Sequence, residues 1–538
     1  MNKSVAKASP GRGQPRRRSP RALFPAGHAS TPVPACGSVS SPRPSVYTGA
    51  QAGLHNPMTA TPLIDGHYAM KFFSNRFDAW LYGFAVALIL AMALIIALAP
   101  APNFHDFGEW LYQGKILALK LTDPEAVAGF ALAHYPVPNS LAPVILGLLC
   151  LMFEPILAGK VFLIMLLGGW LWGSLVFAKR YGADDAQGVV MALLVALAAL
   201  ASFHWYGFVG YQLGLLVFFI FLSFYKEHRS WVWVASFGVI LFLSHAMVFL
   251  AWGLLLGIKV VVDGHRVRQQ ILFGLAPAAV LALWFLLGRW LTGFAVPVAD
   301  AQMQHLSEVI LFKFGSPLVL GGFRNFLRLD GVGLLEQDAW LYWLGVASNA
   351  MAVMALGIFV LLAFLRSGAT HVRPGCLDGP SPDGSALSLR LFGLAVMGIY
   401  LVAPYNFFGL IHPGGRLLLP LLAVALILSD RKTYSWVRWA AIPALLGATI
   451  SVASYGVLQY QTAVMEGKAN AAVPLSSHEA PPRQSVFAYN DWLYPNTQFK
   501  YFNYRVFAFA NRFSQLQEGH FHGLGFRTGP ILGYRPKP

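Results

Sequence analysis

Residues 79–110 read AWLYGFAVALILAMALIIALAPAPNFHDFGEW. From Ala79 to Ala99 no residue is charged, a stretch long enough for a helix to cross about 30 Å of hydrocarbon. Pro100 and Pro102 then stop the helix, and His105, Asp106 and Glu109 follow at once. Titratable groups set directly after an apolar span belong at a membrane–water boundary. Apolar blocks of similar length recur along the chain. Composition agrees: of 538 residues 56% are hydrophobic and only 12% charged, whereas soluble domains run near about 25% charged. The expected fold class is an all-α polytopic membrane protein. Collagen, a coiled coil, a disulfide-stapled secreted domain and a nucleic-acid-binding module are excluded as descriptions of the whole.

Working outward, hydropathy predicts about eleven spans, at 79–99, 156–178, 187–203, 207–224, 231–244, 246–263, 271–291, 341–365, 391–409, 417–429 and 437–459. The basic flanks Lys71/Arg76, Lys179/Arg180, Lys226/Arg229, Arg266/Arg268, Arg366/Arg373/Arg390 and Arg431/Lys432/Arg438 then share one side, which the positive-inside rule makes cytoplasmic. The acidic loops holding Asp106, Glu109, Asp123 and Glu125, and later Asp300 to Asp338, fall on the other. The N-terminus is expected inside and the C-terminal tail outside, in a multi-pass protein of a bacterial inner membrane. The stretch 135–153, beginning YPVPNSLAPVILGLL, is apolar but short. It is expected to lie in the interface or re-enter, because a crossing there would invert Lys179/Arg180. The run 231–263 is too long for one span and is read as two short helices turning at Ser244-His245-Ala246 on the outer side.

Three divisions follow: a tail 1–69, a transmembrane domain 70–459 and an aromatic-rich extracytoplasmic tail 460–538. Residues 1–69 carry eight basic residues against Asp65 alone, +7 of the net +16, and lack an apolar period. They read either as a disordered basic tail or as sequence upstream of a true start at Met70 or Met58. Cys36, Cys150 and Cys376 show no metal-type spacing, and no structural disulfide is expected.

Asp106 and Glu109 are three apart, so a helix starting there presents both on one face. A carboxylate partly desolvated at this depth holds a proton more readily and can act as a general base. The plain alternative is a pair of helix N-terminal acids favoured by the macrodipole.

The order of parts resembles the GT-C superfamily of membrane glycosyltransferases, in its protein O-mannosyltransferase and lipid A aminoarabinose transferase branch. A first span is followed by an acidic outer loop with Asp106 and then a YPxPxS-like segment at Tyr135–Ser140. The second span closes with the basic Ala178-Lys179-Arg180-Tyr181-Gly182. The short hairpin at His245 matches a turn where that branch often carries Thr-Lys-Gly. The likeness covers residues 70–430. It departs at Ser244-His245-Ala246 and in a lone Asp106 where relatives often show adjacent acids, which leaves the sugar and any divalent metal open.

The resemblance implies transfer of a hexose or pentose from a polyprenyl-phosphate donor to a glycan, lipid or protein acceptor outside the membrane. Asp106 would be the catalytic base, with Glu109 beside it. Arg416, in His412-Pro413-Gly414-Gly415-Arg416, would hold the leaving phosphate through its bidentate fork. Lys160 is a second candidate, and His105, Tyr135 and His245 complete the substrate-binding set. Each has a plain alternative: a snorkelling span-end arginine for Arg416, a histidine bonded to nearby backbone for His245. His204, Asn325, Arg324 and Arg328 are weaker candidates, and the pair His520/His522 lacks a third metal ligand. A transporter or lipid flippase, and an O-antigen polymerase or ligase, are the rival functions. Few buried charges and no inverted repeat count against a carrier, and the acidic loop after the first span counts against the polymerase.

Overall fold

The computed structural model describes residues 76–99, 104, 107–125, 132, 135–182, 185–201, 207–224, 230–262, 265–291, 339–366, 382–403, 406–407, 410–411, 415–429 and 431–472. The chain is almost entirely helical there. In order come α1 (Arg76–Leu98), α2 (Phe107–Thr122), α3 (Leu141–Cys150), α4 (Pro155–Tyr181), α5 (Asp185–Ala198), α6 (Val209–Phe224) and α7 (Trp231–Ser244). Then follow α8 (Ala246–Val262), α9 (His265–Leu291), α10 (Ala339–Arg366), α11 (Pro382–Val402), α12 (Leu418–Leu428) and α13 (Arg431–Ala472). A two-residue antiparallel ladder pairs Asn406 with Ile411 and Phe407 with Leu410, and a 3-10 turn, Gly415–Leu417, leads into α12.

Every expected span falls on a helix. Four are long and apolar enough to cross a membrane: α1, α4, residues Arg268–Gly288 of α9 and Trp436–Val457 of α13. The other apolar helical stretches, among them Ala350–Arg366 of α10 and Ala386–Leu401 of α11, run 10–17 residues. Three boundaries differ from the expectation. The helix of the span placed at 187–203 ends at Ala198. The span placed at 391–409 begins earlier, at Pro382, and ends at Val402 before the ladder. The last helix continues past 459 to Ala472, so the division drawn at 459/460 falls inside α13. Residues 1–69 and the tail beyond Ala472 lie outside the described residues.

α5 and α12 are apolar all round, as helices surrounded by protein must be; Val189–Ala201 and Leu418–Ala425 are buried throughout. The first-loop helices α2 and α3 cross at glycines. A Cβ on Gly114 would fall 2.7 Å from Leu146 Cβ, and one on Gly147 would fall 3.1 Å from the Gly114 carbonyl oxygen. Only residues without side chains allow that approach. α3, ten residues long, is too short to cross a bilayer.

Side-chain contacts give the helix directions. Lys160 near the start of α4 donates to the Ala97 carbonyl near the end of α1 (3.0 Å), so these two helices are antiparallel. Tyr181 at the end of α4 donates to the Leu222 carbonyl near the end of α6 (2.6 Å), so α4 and α6 run parallel. Lys259 late in α8 lies 3.5 Å from Ser388 early in α11. Phe359 of α10 packs on Tyr434 of α13. Gly274 of α9 sits against Val234 and the Trp231 carbonyl, early in α7. Arg438 near the start of α13 donates to Asp78 in the first turn of α1 (2.6 Å). The helix ends bearing Arg76, Lys179, Arg180, Arg268, Arg366, Arg390 and Arg438 therefore lie together, and the turn at His245 lies at the opposite end.

Candidate functional site

The hairpin turn is one extended residue. His245 (φ −165°, ψ 126°) donates its N–H to the Leu241 carbonyl, ending α7, while its own carbonyl accepts from Phe249 in α8. The turn seats on α6 where Gly210 and Gly214 leave room: a Cβ on Gly210 would meet the Ser244 carbonyl oxygen at 2.9 Å.

Against this turn the 3-10 segment presents Arg416. Its Nη1 lies 2.9 Å from His245 Nε2, and its Cζ sits 4.6 Å from the centre of the Phe208 ring, a cation–π distance. Tyr211 donates its hydroxyl to the Arg416 carbonyl (2.5 Å), and its ring meets the His245 ring edge to face at 5.1 Å. Both Arg416 and His245 are buried, at 7% and 4% exposure. For an arginine such burial is rare without a specific arrangement.

A guanidinium only donates, so Nε2 must offer its lone pair and the ring is neutral with its proton on Nδ1. Burial first, and the Arg416 charge second, hold the imidazole well below its ordinary pKa. The Met247 N–H approaches Nδ1 at 3.2 Å. It competes for the same single lone pair, and both contacts cannot be hydrogen bonds at once. The preceding N–H, that of Ala246, is accepted by Asn139 Oδ1 at 3.0 Å.

The cluster therefore gathers the N-terminal ends of α6, α8 and α12 around one guanidinium. Helix N-termini carry partial positive charge. Together they suit an anion.

The structure brings two predicted residues, His245 and Arg416, into direct contact. Others have structural partners. Lys160 covers the C-terminal carbonyls of α1 through Ala97, where a cation opposes the negative helix end. Tyr135 packs on α9, 6.1 Å from Phe285 between ring centres, and sits where a Cβ on Gly288 would collide at 2.5 Å. His105, Asp106, His204, Arg324, Asn325, Arg328, His520 and His522 lie outside the described residues, and Glu109 falls within α2. The residues flanking the acid are anchored. Phe104 stacks on Tyr455 of α13 at 4.9 Å, and Phe107 packs on Phe162 of α4 at 6.4 Å. Phe104 and Phe107 thus meet the bundle at the end that holds His245. Among the described residues no three His, Cys, Asp or Glu side chains come together as a metal site.

Sequence reasoning missed Asn139, Phe208 and Tyr211. For Asn139 a signal existed. Asn is the non-glycine residue most at ease in the left-handed region and a favoured helix cap, and Pro138-Asn139-Ser140 precedes a helix. Its partner lies 107 residues away, which no local pattern discloses. No family model, curated protein or solved structure matches this chain.

Proposed function

We propose that this chain is a GT-C-like membrane glycosyltransferase with about eleven transmembrane helices. It moves a sugar from a polyprenyl-phosphate donor to a glycan, lipid or protein acceptor on the outer face of a bacterial inner membrane. The observation that carries this reading is the Arg416–His245 contact at the meeting of three helix N-termini. That meeting point shares an end of the bundle with Phe104 and Phe107, which flank Asp106 in sequence.

In this reading Asp106 takes the proton of an acceptor hydroxyl, whose oxygen attacks the anomeric carbon. The bond from that carbon to the phosphate oxygen breaks, and the phosphate leaves with its electron pair. Arg416 and the positive ends of the three helices stabilise the growing charge. When the phosphate engages Arg416, His245 Nε2 is released. The imidazole can then carry its proton on Nε2, facing the phosphate, while Nδ1 accepts from Met247.

The test is Asp106→Asn, which keeps shape and removes the accepting charge. Transfer from a synthetic polyprenyl-phosphate hexose should fall by about 10²–10⁴-fold, with insertion intact. Near-normal transfer by the inserted variant would overturn Asp106 as base. No transfer by the wild type from any polyprenyl-phosphate sugar would overturn the function and return the transporter reading to the front.

A further inference from the structure

We infer that Asn139 is a positioning residue that ties the acid-bearing first loop to the Arg416–His245 pair; the inference rests on the transfer reading above. Among the described non-glycine residues Asn139 stands out with a left-handed backbone, φ 68°. Side chains other than Asn and Asp rarely tolerate that conformation. It is held there by the bond from the Ala246 N–H to Oδ1.

Ala246 is the first residue of α8 and follows His245 directly. Asn139 is thus one peptide away from the residue that engages Arg416. On its other side Ser140 leads into α3, and α3 is locked on α2 at the Gly114–Gly147 crossing. α2 begins at Phe107, immediately after Asp106. A continuous series of packed elements therefore runs from Phe107 at the start of α2, through α3 and Asn139, to His245 and Arg416. Asn139 is the hydrogen-bonded joint between its two halves. Four residues upstream, Tyr135 rests on α9 at Gly288, so the segment is held from both sides of the joint.

The role follows from chemistry. A base on one half must address the anomeric carbon while the phosphate is held on the other. Misplacement by about 1 Å between reacting groups can cost about 10²-fold in rate. Loss of the joint should lower turnover and leave donor affinity nearly untouched.

Three variants of the full chain in nanodiscs separate the possibilities. Asn139→Gly keeps the backbone freedom and removes the acceptor, Asn139→Asp keeps both, and Asn139→Ala removes both. With a synthetic polyprenyl-phosphate hexose as donor, Asn139→Gly should lose about ten- to a hundredfold in kcat with KM within about twofold. Asn139→Asp should stay within about threefold of wild type, and Asn139→Ala should be the worst. A readout independent of activity is the distance distribution between spin labels at Leu121 of α2 and Leu250 of α8, both exposed, with Cys36, Cys150 and Cys376 replaced. It should broaden in Asn139→Gly and stay narrow in Asn139→Asp. An unchanged distribution in Asn139→Gly, a rise in KM alone, or an Asp variant no better than Gly would overturn the inference. Broadening in Asn139→Gly, with a wild type that transfers nothing, would keep the joint and reject the transfer reading.

Discussion

Two arginines mark the two ends of the helix array, and they are held differently. At one end Arg438 donates to Asp78, a carboxylate with no exposure, across α13 and α1. At the other, Arg416 meets a neutral imidazole and the face of Phe208. The carboxylate cancels its partner's charge and ties the first helix to the last, so that pair reads as a clamp. The imidazole and the ring orient the guanidinium, and neither contact cancels its charge. The lesson is that burial of an arginine says little by itself; the charge state of what faces it separates a clamp from an anion site.

A matched substitution at both ends breaks or sharpens that distinction most. Arg416→Lys keeps the charge and loses the fork. Losing one charge-assisted hydrogen bond of about 1.5–3 kcal/mol should lower transfer by about ten- to a hundredfold. Arg438→Lys should leave transfer per folded molecule within about twofold. Equal losses at the two ends would erase the comparison.

A smaller effect, on stability, comes from the clamp. Arg438→Leu strands a buried carboxylate, a change that costs about 3–5 kcal/mol for a fully buried pair. Because the Arg438 side chain is 36% exposed, about 1–3 kcal/mol is expected after allowance for solvent. Asp78→Leu combined with Arg438→Leu should recover most of it, since two apolar residues leave no stranded charge. Unfolding curves of the single and double variants in one detergent check this, and a double variant as unstable as the single one would reject the clamp.

The smallest expected effect is in the pH dependence. His245 stays neutral in the fold, with a pKa depressed below the ordinary 6.5. The unfolded chain takes up this proton first as pH falls. The native state therefore loses stability as pH drops from 6.5 toward the depressed value, and the loss levels off below it. His245→Gln keeps an acceptor for Arg416 and does not titrate, so its unfolding midpoint should fall less than that of the wild type between pH 7 and 5. Parallel curves would place the imidazole outside the buried cluster.

Much of this architecture is legible along the chain because it follows from local periodicity. Blocks such as Ala79–Ala99 must be helical wherever they are buried, since their backbone groups need internal partners in any apolar medium. The break at His245 is legible for a related reason: the largely apolar run of 33 residues from 231 to 263 exceeds one crossing. The common end of Arg180, Arg268 and Arg438 follows from span parity. Lys160 and Tyr135 were less legible, because a lysine or tyrosine near a span end reads alike whether it meets a ligand, a helix carbonyl or a glycine.

The sequence alone determined the helical class, the membrane-like composition and the residue types available at each helix end, because these depend on windows of about 20 residues. Tertiary structure decided which ends meet. It set Arg416 against His245 across 171 residues, Asp78 against Arg438 across 360 and Asn139 on the first N–H of α8. Those pairings depend on how side chains of many helices pack at once, and a one-dimensional pattern holds no term for distance between segments so far apart.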